Sequence, residues 1–197
     1  MKLLALYSIK GGVGKTAAAA IRGTDYSGLD ILPAHFSFRK FERELLAAKK
    51  PRTGLRRLLR PRGESYDLVV LDCPPNLTLV AENVFRAADV ILVPVIPTTL
   101  SHRTYELLRD HFAEQDLDRS RLLGFFSLVD RRKTLHREVM AGLPSRKRPF
   151  CATVVPYCTE IERMGVHRAP VGDYAPASTG GRAVADLWAE VRARLGI

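Results

Sequence analysis

The sequence predicts an α/β fold, a mostly parallel β-sheet with helices on both faces. Short runs of branched aliphatic residues alternate along the chain with longer amphipathic stretches, the pattern of successive strand–helix–strand units. A glycine-rich loop follows the first of these runs, at the end of a strand, where parallel sheets bind their ligands. The 197 residues show no internal repeat or low-complexity linker, so we predict a single domain spanning 1–197.

Each element is predicted from its hydrophobic pattern. Apolar residues without alternation indicate strands buried on both faces, and these cover residues 2–8, 29–33, 67–71, 90–95, 122–129 and 150–155. Apolar residues at helical spacing indicate helices, and these begin at residue 16 and cover 38–48, 77–88, 100–116, 134–143 and 178–195. The last helix carries an apolar stripe that we expect to face the core, formed by Val184, Leu187, Trp188, Val191 and Leu195.

Composition excludes several classes of protein. With 46% hydrophobic and 26% charged residues the chain is typical of soluble globular domains, and its apolar runs are too short to span a bilayer. The net charge of +10 fits either a solvated basic surface or attraction to a polyanion such as nucleic acid. The same two interpretations apply to residues 49–63, which hold seven basic residues and no acidic one. Three cysteines without metal spacing indicate reduced thiols in a cytoplasm.

The strongest motif is the phosphate loop that follows the first strand. Glycine lets a backbone wrap closely around phosphate oxygens, and the following helix N-terminus adds partial positive charge. Within the motif, Lys15 can reach the β- and γ-phosphates and the Thr16 hydroxyl can ligate Mg²⁺. The predicted nucleotide-binding residues are Lys10, Gly11, Gly12, Val13, Gly14, Lys15 and Thr16.

A second motif, YDLVVLDCPP at residues 66–75, is a buried strand that ends in Asp72. A carboxylate at the end of a strand beside a phosphate loop suits Mg²⁺, which prefers oxygen ligands. We therefore predict Thr16 and Asp72 as the metal-ligating residues.

Together the two motifs resemble those of the ParA/MinD family of partitioning and positioning ATPases, which carry a deviant Walker A loop of the form KGGxGK[ST]. The resemblance continues downstream through residues 82–89, 93–98, 126–132, 154–156 and 175–176. It implies a P-loop ATPase that binds ATP and Mg²⁺, with Lys10 and Lys15 as catalytic residues. Lys10 matches the lysine that reaches the partner's nucleotide in an ATP-bound homodimer. Asp130 and Pro156 match positions that flank the adenine, although Asp130 is equally explained as an ordinary turn residue.

The resemblance also implies a function. An ATP-bound dimer binds DNA nonspecifically, and a ParB-like or organelle-positioning adaptor stimulates its weak hydrolysis. The cycle partitions or positions a cargo such as a plasmid, a chromosome or a carboxysome, and the protein is cytoplasmic and nucleoid-associated. The candidate DNA contacts are Arg131, Arg132, Lys133, Arg146, Lys147, Arg148, Arg163 and Arg168.

One departure from the family puts hydrolysis in doubt. Members usually have a second strand ending in D-x-D-P (Walker A′), whose first Asp positions the attacking water, and this chain contains no such motif. The segment is either deleted or naturally short, and Asp25 and Asp30 are poor substitutes because neither is expected at the carboxyl end of a strand. Two other functions therefore remain open, a non-hydrolysing nucleotide-binding module and a MinD-like membrane-surface ATPase. The second is not favoured, because Trp188 and Leu195 are expected to pack in the core.

Overall fold

The computed structural model describes residues 1–7, 21–32, 45–48, 51–62, 64–73, 77–144 and 148–197. These residues form a five-stranded sheet in the order β4-β1-β5-β6-β7, in which every neighbouring pair is parallel. The strands are β1 (Lys2–Tyr7), β4 (Leu68–Cys73), β5 (Val90–Val95), β6 (Leu122–Val129) and β7 (Phe150–Pro156). The predicted parallel α/β sheet is confirmed, and so are the strands expected at 67–71, 90–95, 122–129 and 150–155, together with the described residues 2–7 of the strand expected at 2–8.

Helices connect these strands or follow the last of them. They are α1 (Gly54–Leu59), α2 (Leu79–Ala87), α3 (Thr99–Glu114), α4 (Thr134–Gly142), α5 (Thr159–Glu162), α6 (Met164–His167), α7 (Val171–Tyr174) and α8 (Thr179–Leu195). Thr78, Thr98 and Ser178 begin α2, α3 and α8 by accepting a hydrogen bond from the backbone amide three residues ahead. Gly196 ends α8 at a φ of 71°, a left-handed conformation that glycine adopts without strain. Among the described residues, no helix has the length and apolar character needed to cross a bilayer.

The core lies on both faces of the sheet because side chains alternate along each strand. On β5, Ile91 and Val93 belong to the cluster that packs against α2 and α3, while Val90 and Leu92 belong to the cluster that packs against α8. The first cluster is rich in aromatic residues, with Phe85, Tyr105 and Phe112 all at most 1% exposed. The central strands β1, β5 and β6 are therefore covered on both faces, as their unbroken apolar runs predicted, whereas Val70 on β4 is 56% exposed.

Two predictions about these elements are wrong. The strand expected at 29–33 is not part of the parallel sheet; instead β3 (Asp30–Ile31) pairs antiparallel with β2 (Arg22–Gly23) in a small hairpin. On α8, Val191 and Leu195 are buried, but Val184 and Trp188 are 38% and 41% exposed. The buried stripe runs instead through Ala183, Leu187, Val191 and Leu195, because only this side of the helix lies over β7 and the neighbouring strands.

A carboxylate from α8 caps the outer strand of the described sheet. Glu190 accepts hydrogen bonds from the backbone amides of Ala152 at 2.7 Å and Thr153 at 2.6 Å, and also from the Thr153 hydroxyl. Burial acts to raise the pKa of Glu190, but the hydrogen bonds from Thr153 and Ala152 outweigh it and hold the pKa below its ordinary value. The charged side chain thus satisfies donors on β7 that would otherwise be open to another strand.

We expect Glu190→Gln to lower the free energy of unfolding by about 1–2 kcal/mol at neutral pH, because an amide accepts these bonds less well than a carboxylate. Since the folded pKa lies below the unfolded one, this contribution is present above the unfolded pKa and is lost as pH falls through the folded value. The native protein should therefore lose stability on acidification more steeply than the variant. Denaturant titrations from neutral to acid pH measure this, with Asp186→Asn on the same helix as control. Parallel pH profiles for Glu190→Gln and native protein would contradict the assignment.

Candidate functional site

The strands of a parallel sheet all end at one edge, called here the carboxyl edge, and begin at the opposite amino edge. At the carboxyl edge β1 and β4 end side by side, with Leu6 in register with Asp72 and Tyr7 in register with Cys73. Asp72 is exposed there. The chain continues from Tyr7 toward the predicted phosphate loop at residues 10–16, which lies outside the described residues. Asp72 therefore lies beside β1, the strand that leads into the predicted phosphate loop.

The residues that end β1 and β4 next to Asp72 are buried and closely packed. Tyr7 is 3% exposed, and its ring meets the edge of Phe85 at a centroid distance of 5.1 Å. Cys73 is buried, and its thiol donates to the Leu71 carbonyl at 3.4 Å. Burial, together with the nearby charge of Asp72, raises the pKa of Cys73 to about 12. The thiol therefore stays protonated, and the exposed reactive group at the end of β4 is the carboxylate. All three cysteines are free, as predicted.

Asp130 and Pro156 also lie at the carboxyl edge, where β6 and β7 end. Val129 and Pro156 are in register, so the two predicted adenine-flanking residues are brought together. The Asp130 carboxylate accepts from the Arg132 backbone amide at 3.0 Å and from its guanidinium at 3.0 and 2.9 Å. These hydrogen bonds from Arg132 are the main cause that lowers the pKa of Asp130 to about 2. Asp130 thus closes the turn that follows β6, as the turn interpretation expected, and its contact with adenine stays a prediction.

His136 is a residue of this turn that sequence reasoning missed. The Asp130 amide donates to His136 Nδ1 at 3.1 Å, and His136 is 4% exposed. The ring therefore ties the first turns of α4 to the end of β6. No sequence motif signals this role, because the contact depends on how the loop folds back over six residues.

The predicted DNA-contacting residues do not form one surface. Five of them follow β6 or β7 at the carboxyl edge and are exposed, namely Arg131, Arg132, Lys133, Arg163 and Arg168. Arg148 instead precedes β7 at the amino edge, where its guanidinium pairs with Glu106 at 3.3 Å. Arg146 and Lys147 lie outside the described residues. The length of β7 therefore separates Arg148 from the other described candidates, and DNA contact by any of these residues stays a prediction.

The region where the family has its Walker A′ strand contains the β2–β3 hairpin. Asp30 lies in β3 and accepts from the Tyr66 hydroxyl at 2.7 Å, while Asp25 lies in the turn between the two strands. Neither carboxylate lies at the end of a strand of the parallel sheet. This agrees with the sequence-based view that neither replaces the missing aspartate.

A parallel sheet with an exposed carboxylate beside the strand that precedes a glycine-rich GKT loop defines the class of P-loop nucleoside triphosphatases. A sequence model for a family described as an AAA domain matches residues 17–115. The chain belongs to this family and, with it, to the ParA/MinD group of P-loop ATPases.

Individual proteins show the same relationship. The chain is 28% identical to the sporulation initiation inhibitor protein Soj of Bacillus subtilis over 88% of its own length and 70% of Soj. It is 24% identical to the chromosome-partitioning ATPase Soj of Treponema pallidum over 90% of this chain and 72% of that one. The fold is similar to cobyrinic acid a,c-diamide synthase of Mycobacterium smegmatis with bound ATP analogue and magnesium. The TM-score between the two structures is 0.68. The match is 23% identical in sequence and covers 97% of this chain and 82% of the synthase chain.

Proposed function

We propose that this protein is an ATP-dependent, dimerising ATPase that binds DNA nonspecifically and partitions or positions a cargo. The observation that carries the proposal is the register of Leu6 with Asp72, which puts an exposed carboxylate beside the entrance to the phosphate loop. The chain is similar in sequence to two Soj proteins, one of which is named a chromosome-partitioning ATPase, and this similarity supports the partitioning role. The protein is proposed to be cytoplasmic, and nucleoid-bound in its ATP state.

The donors at the carboxyl edge fit ATP with Mg²⁺. Among the described residues, no group of three or more His, Cys, Asp or Glu side chains could hold a metal by itself. This suits Mg²⁺, which is usually held by one or two carboxylates together with substrate phosphates and water. Asp72 and Thr16 would hold the ion, and bound Mg²⁺ neutralises negative charge on the phosphates. Lys15 would bind the β- and γ-phosphates, Lys10 the partner's nucleotide, and Asp130 with Pro156 would flank the adenine.

Hydrolysis is proposed to be weak and stimulated by an adaptor protein. The chain lacks a D-x-D-P motif, so no carboxylate of its own is assigned to orient the attacking water. An adaptor that completes the site or holds the dimer closed would then control how long the ATP state lasts. That lifetime determines how long a cargo stays attached to DNA.

The exposed cations of the carboxyl edge support DNA binding that depends on ATP. Arg131 and Lys133 follow the end of β6, and Arg163 and Arg168 lie in the exposed segment that follows the end of β7, so all four come after strands that end at this edge. A dimer that closes over two nucleotides at this edge would bring both sets of cations together, and phosphate contacts of this kind are independent of sequence. The net charge of +10 adds long-range attraction to DNA.

The test is retention of random-sequence duplex DNA with ATP and with ADP over a range of salt concentrations. We expect retention with ATP alone, and a salt slope about 1–2 units smaller for Arg163→Ala/Arg168→Ala because each lost phosphate contact releases fewer counterions. The matched control, Arg119→Ala/Arg192→Ala, removes the same charge from exposed positions at the amino edge, where Arg119 precedes β6 and α8 ends. Equal retention in ATP and ADP would refute the switch.

A membrane-surface positioning ATPase is a second candidate, favoured by one observation. Val184 and Trp188 lie one turn apart on α8 and are exposed, although the sequence predicted a packing role. Aromatic and aliphatic side chains on an exposed helix face can enter the lipid headgroup region. Co-sedimentation with anionic liposomes in ATP, compared between native protein and Trp188→Ser, discriminates the two candidates.

A phosphate-release assay with Lys15→Ala as control identifies the third possibility, a non-hydrolysing module.

A further inference from the structure

A cleft opens at the amino edge, on the side of the sheet away from the proposed nucleotide site. Its volume is about 590 Å³. Met1, Leu3 near the start of β1 and Ala87 at the end of α2 form its apolar part, and Asp89 before β5 adds a carboxylate to the lining. The remaining wall is formed by Thr53, Arg56, Arg57 and Arg60. We call this feature the arginine cleft; its arginines come from the basic segment 49–63, to which the ATPase proposal gives no role.

A buried amide holds the arginine-bearing helix in place. Asn83 on α2 is 1% exposed. Its side-chain NH₂ donates to the carbonyls of Pro51 and Leu79, each at 2.8 Å, and its oxygen accepts from the Leu55 amide at 3.2 Å. Because these bonds bracket the start of α1, they fix the backbone from which Arg56, Arg57 and Arg60 extend.

The cleft carries unbalanced positive charge. Arg56, Arg57 and Arg60 are exposed, and none of the three pairs with a carboxylate in the part of the chain that the structure describes. Asp89 is the acidic residue of the lining, but its carboxylate accepts from the Leu3 amide at 2.8 Å. Its own amide donates to the Leu3 carbonyl at 2.8 Å, which fixes the residue further. Asp89 is thus used to join β1 and β5, and the guanidinium groups remain available to a ligand.

We propose that the arginine cleft is a second binding site, specific for a small anion that carries several phosphates. Arg60 lies three and four positions after Arg57 and Arg56, so the three side chains share one side of α1 and the turn after it, and all three line the cleft. Guanidinium forks bind phosphate oxygens in pairs, and several of them select ligands with more than one phosphate. The apolar wall formed by Leu3 and Ala87 suits the uncharged part of such a ligand, as in a nucleoside polyphosphate.

The shape of the cleft favours a small ligand over duplex DNA. Its volume falls within the roughly 300–1,000 Å³ of small-molecule sites. A duplex presents phosphates along an extended surface and is matched by cations spread over that distance. Here the three cations extend from one short helix and the turn after it, and Met1, Leu3 and Ala87 form the apolar part of the lining. The site is also separate from the proposed ATPase site, because it lies where strands begin rather than where they end.

The test uses inorganic tripolyphosphate as the probe and isothermal titration calorimetry as the measurement. All proteins carry Lys15→Ala, so that binding at the phosphate loop is weakened. We expect Arg56→Ala/Arg57→Ala/Arg60→Ala to raise the Kd about tenfold or more. The matched control, Arg103→Ala/Arg119→Ala/Arg192→Ala, removes the same charge from exposed positions outside both the cleft and the proposed DNA contacts, and it should leave the Kd unchanged. Thermal unfolding of each variant checks that these exposed substitutions leave the fold intact.

Three results would overturn the proposal. One is tripolyphosphate binding of equal strength in the parent and in the cleft variant. Another is an equal loss in both triple variants, which would indicate general charge attraction. The third is tripolyphosphate binding that stays intact in the cleft variant while the same three substitutions, made with Lys15 unchanged, abolish ATP-dependent retention of duplex DNA, which would make the cleft a nucleic-acid contact. None of these depends on ATP hydrolysis, so the ATPase proposal stands or fails separately.

Discussion

Asp72→Ala should lower Mg²⁺-dependent ATP hydrolysis by about 100-fold while leaving the protein as stable as the native form. The carboxylate is exposed at the end of β4 and in register with Leu6, where it can hold Mg²⁺ against bound phosphates. Loss of such a ligand removes several kcal/mol of stabilisation from the reacting phosphates. The Asp72 side chain forms no hydrogen bond or ion pair with the other described residues, so its removal costs the fold little. Phosphate release at saturating ATP, with and without EDTA, measures the effect.

Asp67→Ala is the matched control for this experiment. Asp67 is exposed just before the start of β4, at the amino edge. Asp67→Ala therefore removes the same charge as Asp72→Ala, but from the opposite end of β4. We expect it to hydrolyse ATP at the native rate and to remain sensitive to EDTA. If Asp72→Ala also hydrolyses ATP at the native rate, the carboxyl edge of β4 is not the metal site.

The strands of the parallel sheet could be predicted because the determining signal is local. Val90, Ile91, Leu92 and Val93 follow one another without a polar residue, and a strand covered on both faces is the simplest arrangement that buries all four. The parallel arrangement of the strands followed from their alternation with helices. Asp72 was identified in the same way, since the end of an apolar run places it at the carboxyl edge.

The hairpin could not be predicted because a strand pattern does not reveal its partner. Leu29 and Ile31 look like residues of a buried strand but are 54% and 52% exposed. A compact turn pairs this segment with residues only a few positions away. Gly28 adopts a φ of 77°, and the Thr24 amide and hydroxyl both donate to the Leu29 carbonyl, at 3.2 and 2.8 Å. These short-range bonds favour a local hairpin over a long crossover into the sheet.

The sequence could not show which basic residues lie close together or which of them pair with carboxylates. Arg148 and Arg131 are both basic loop residues, yet they lie at opposite edges of the sheet because β7 begins after one and β6 ends before the other. The partner of Arg148 is Glu106, 42 positions away, and the partner of Arg132 is Asp130, two positions away. Charge density along a sequence therefore does not separate paired arginines from those left free to bind a ligand.

Phe85→Ala should lower the free energy of unfolding by about 3–5 kcal/mol, a large part of the roughly 5–15 kcal/mol typical of a domain. Phe85 is 1% exposed, with its ring 5.1 Å from Tyr7 and 4.9 Å from Phe112. Alanine would leave a cavity between α2, α3 and β1 that close-packed neighbours cannot fill. Denaturant unfolding measures the loss, and Leu107→Ala, at a position 56% exposed, should change stability by less than about 0.5 kcal/mol.

The same substitution also tests whether the core positions the phosphate loop. Phe85 supports Tyr7, the last residue of β1 before the predicted loop, so the cavity should weaken ATP binding as well as the fold. Saturating ATP should then raise the unfolding midpoint of Phe85→Ala by less than it raises that of Leu107→Ala, because ligand stabilisation depends on affinity for the folded state. Asp72→Ala should show the complementary result, with native stability in the absence of nucleotide and a reduced shift when Mg²⁺ and ATP are added. An equal shift in Phe85→Ala and Leu107→Ala would mean that the loop holds its shape independently of the packing beneath it.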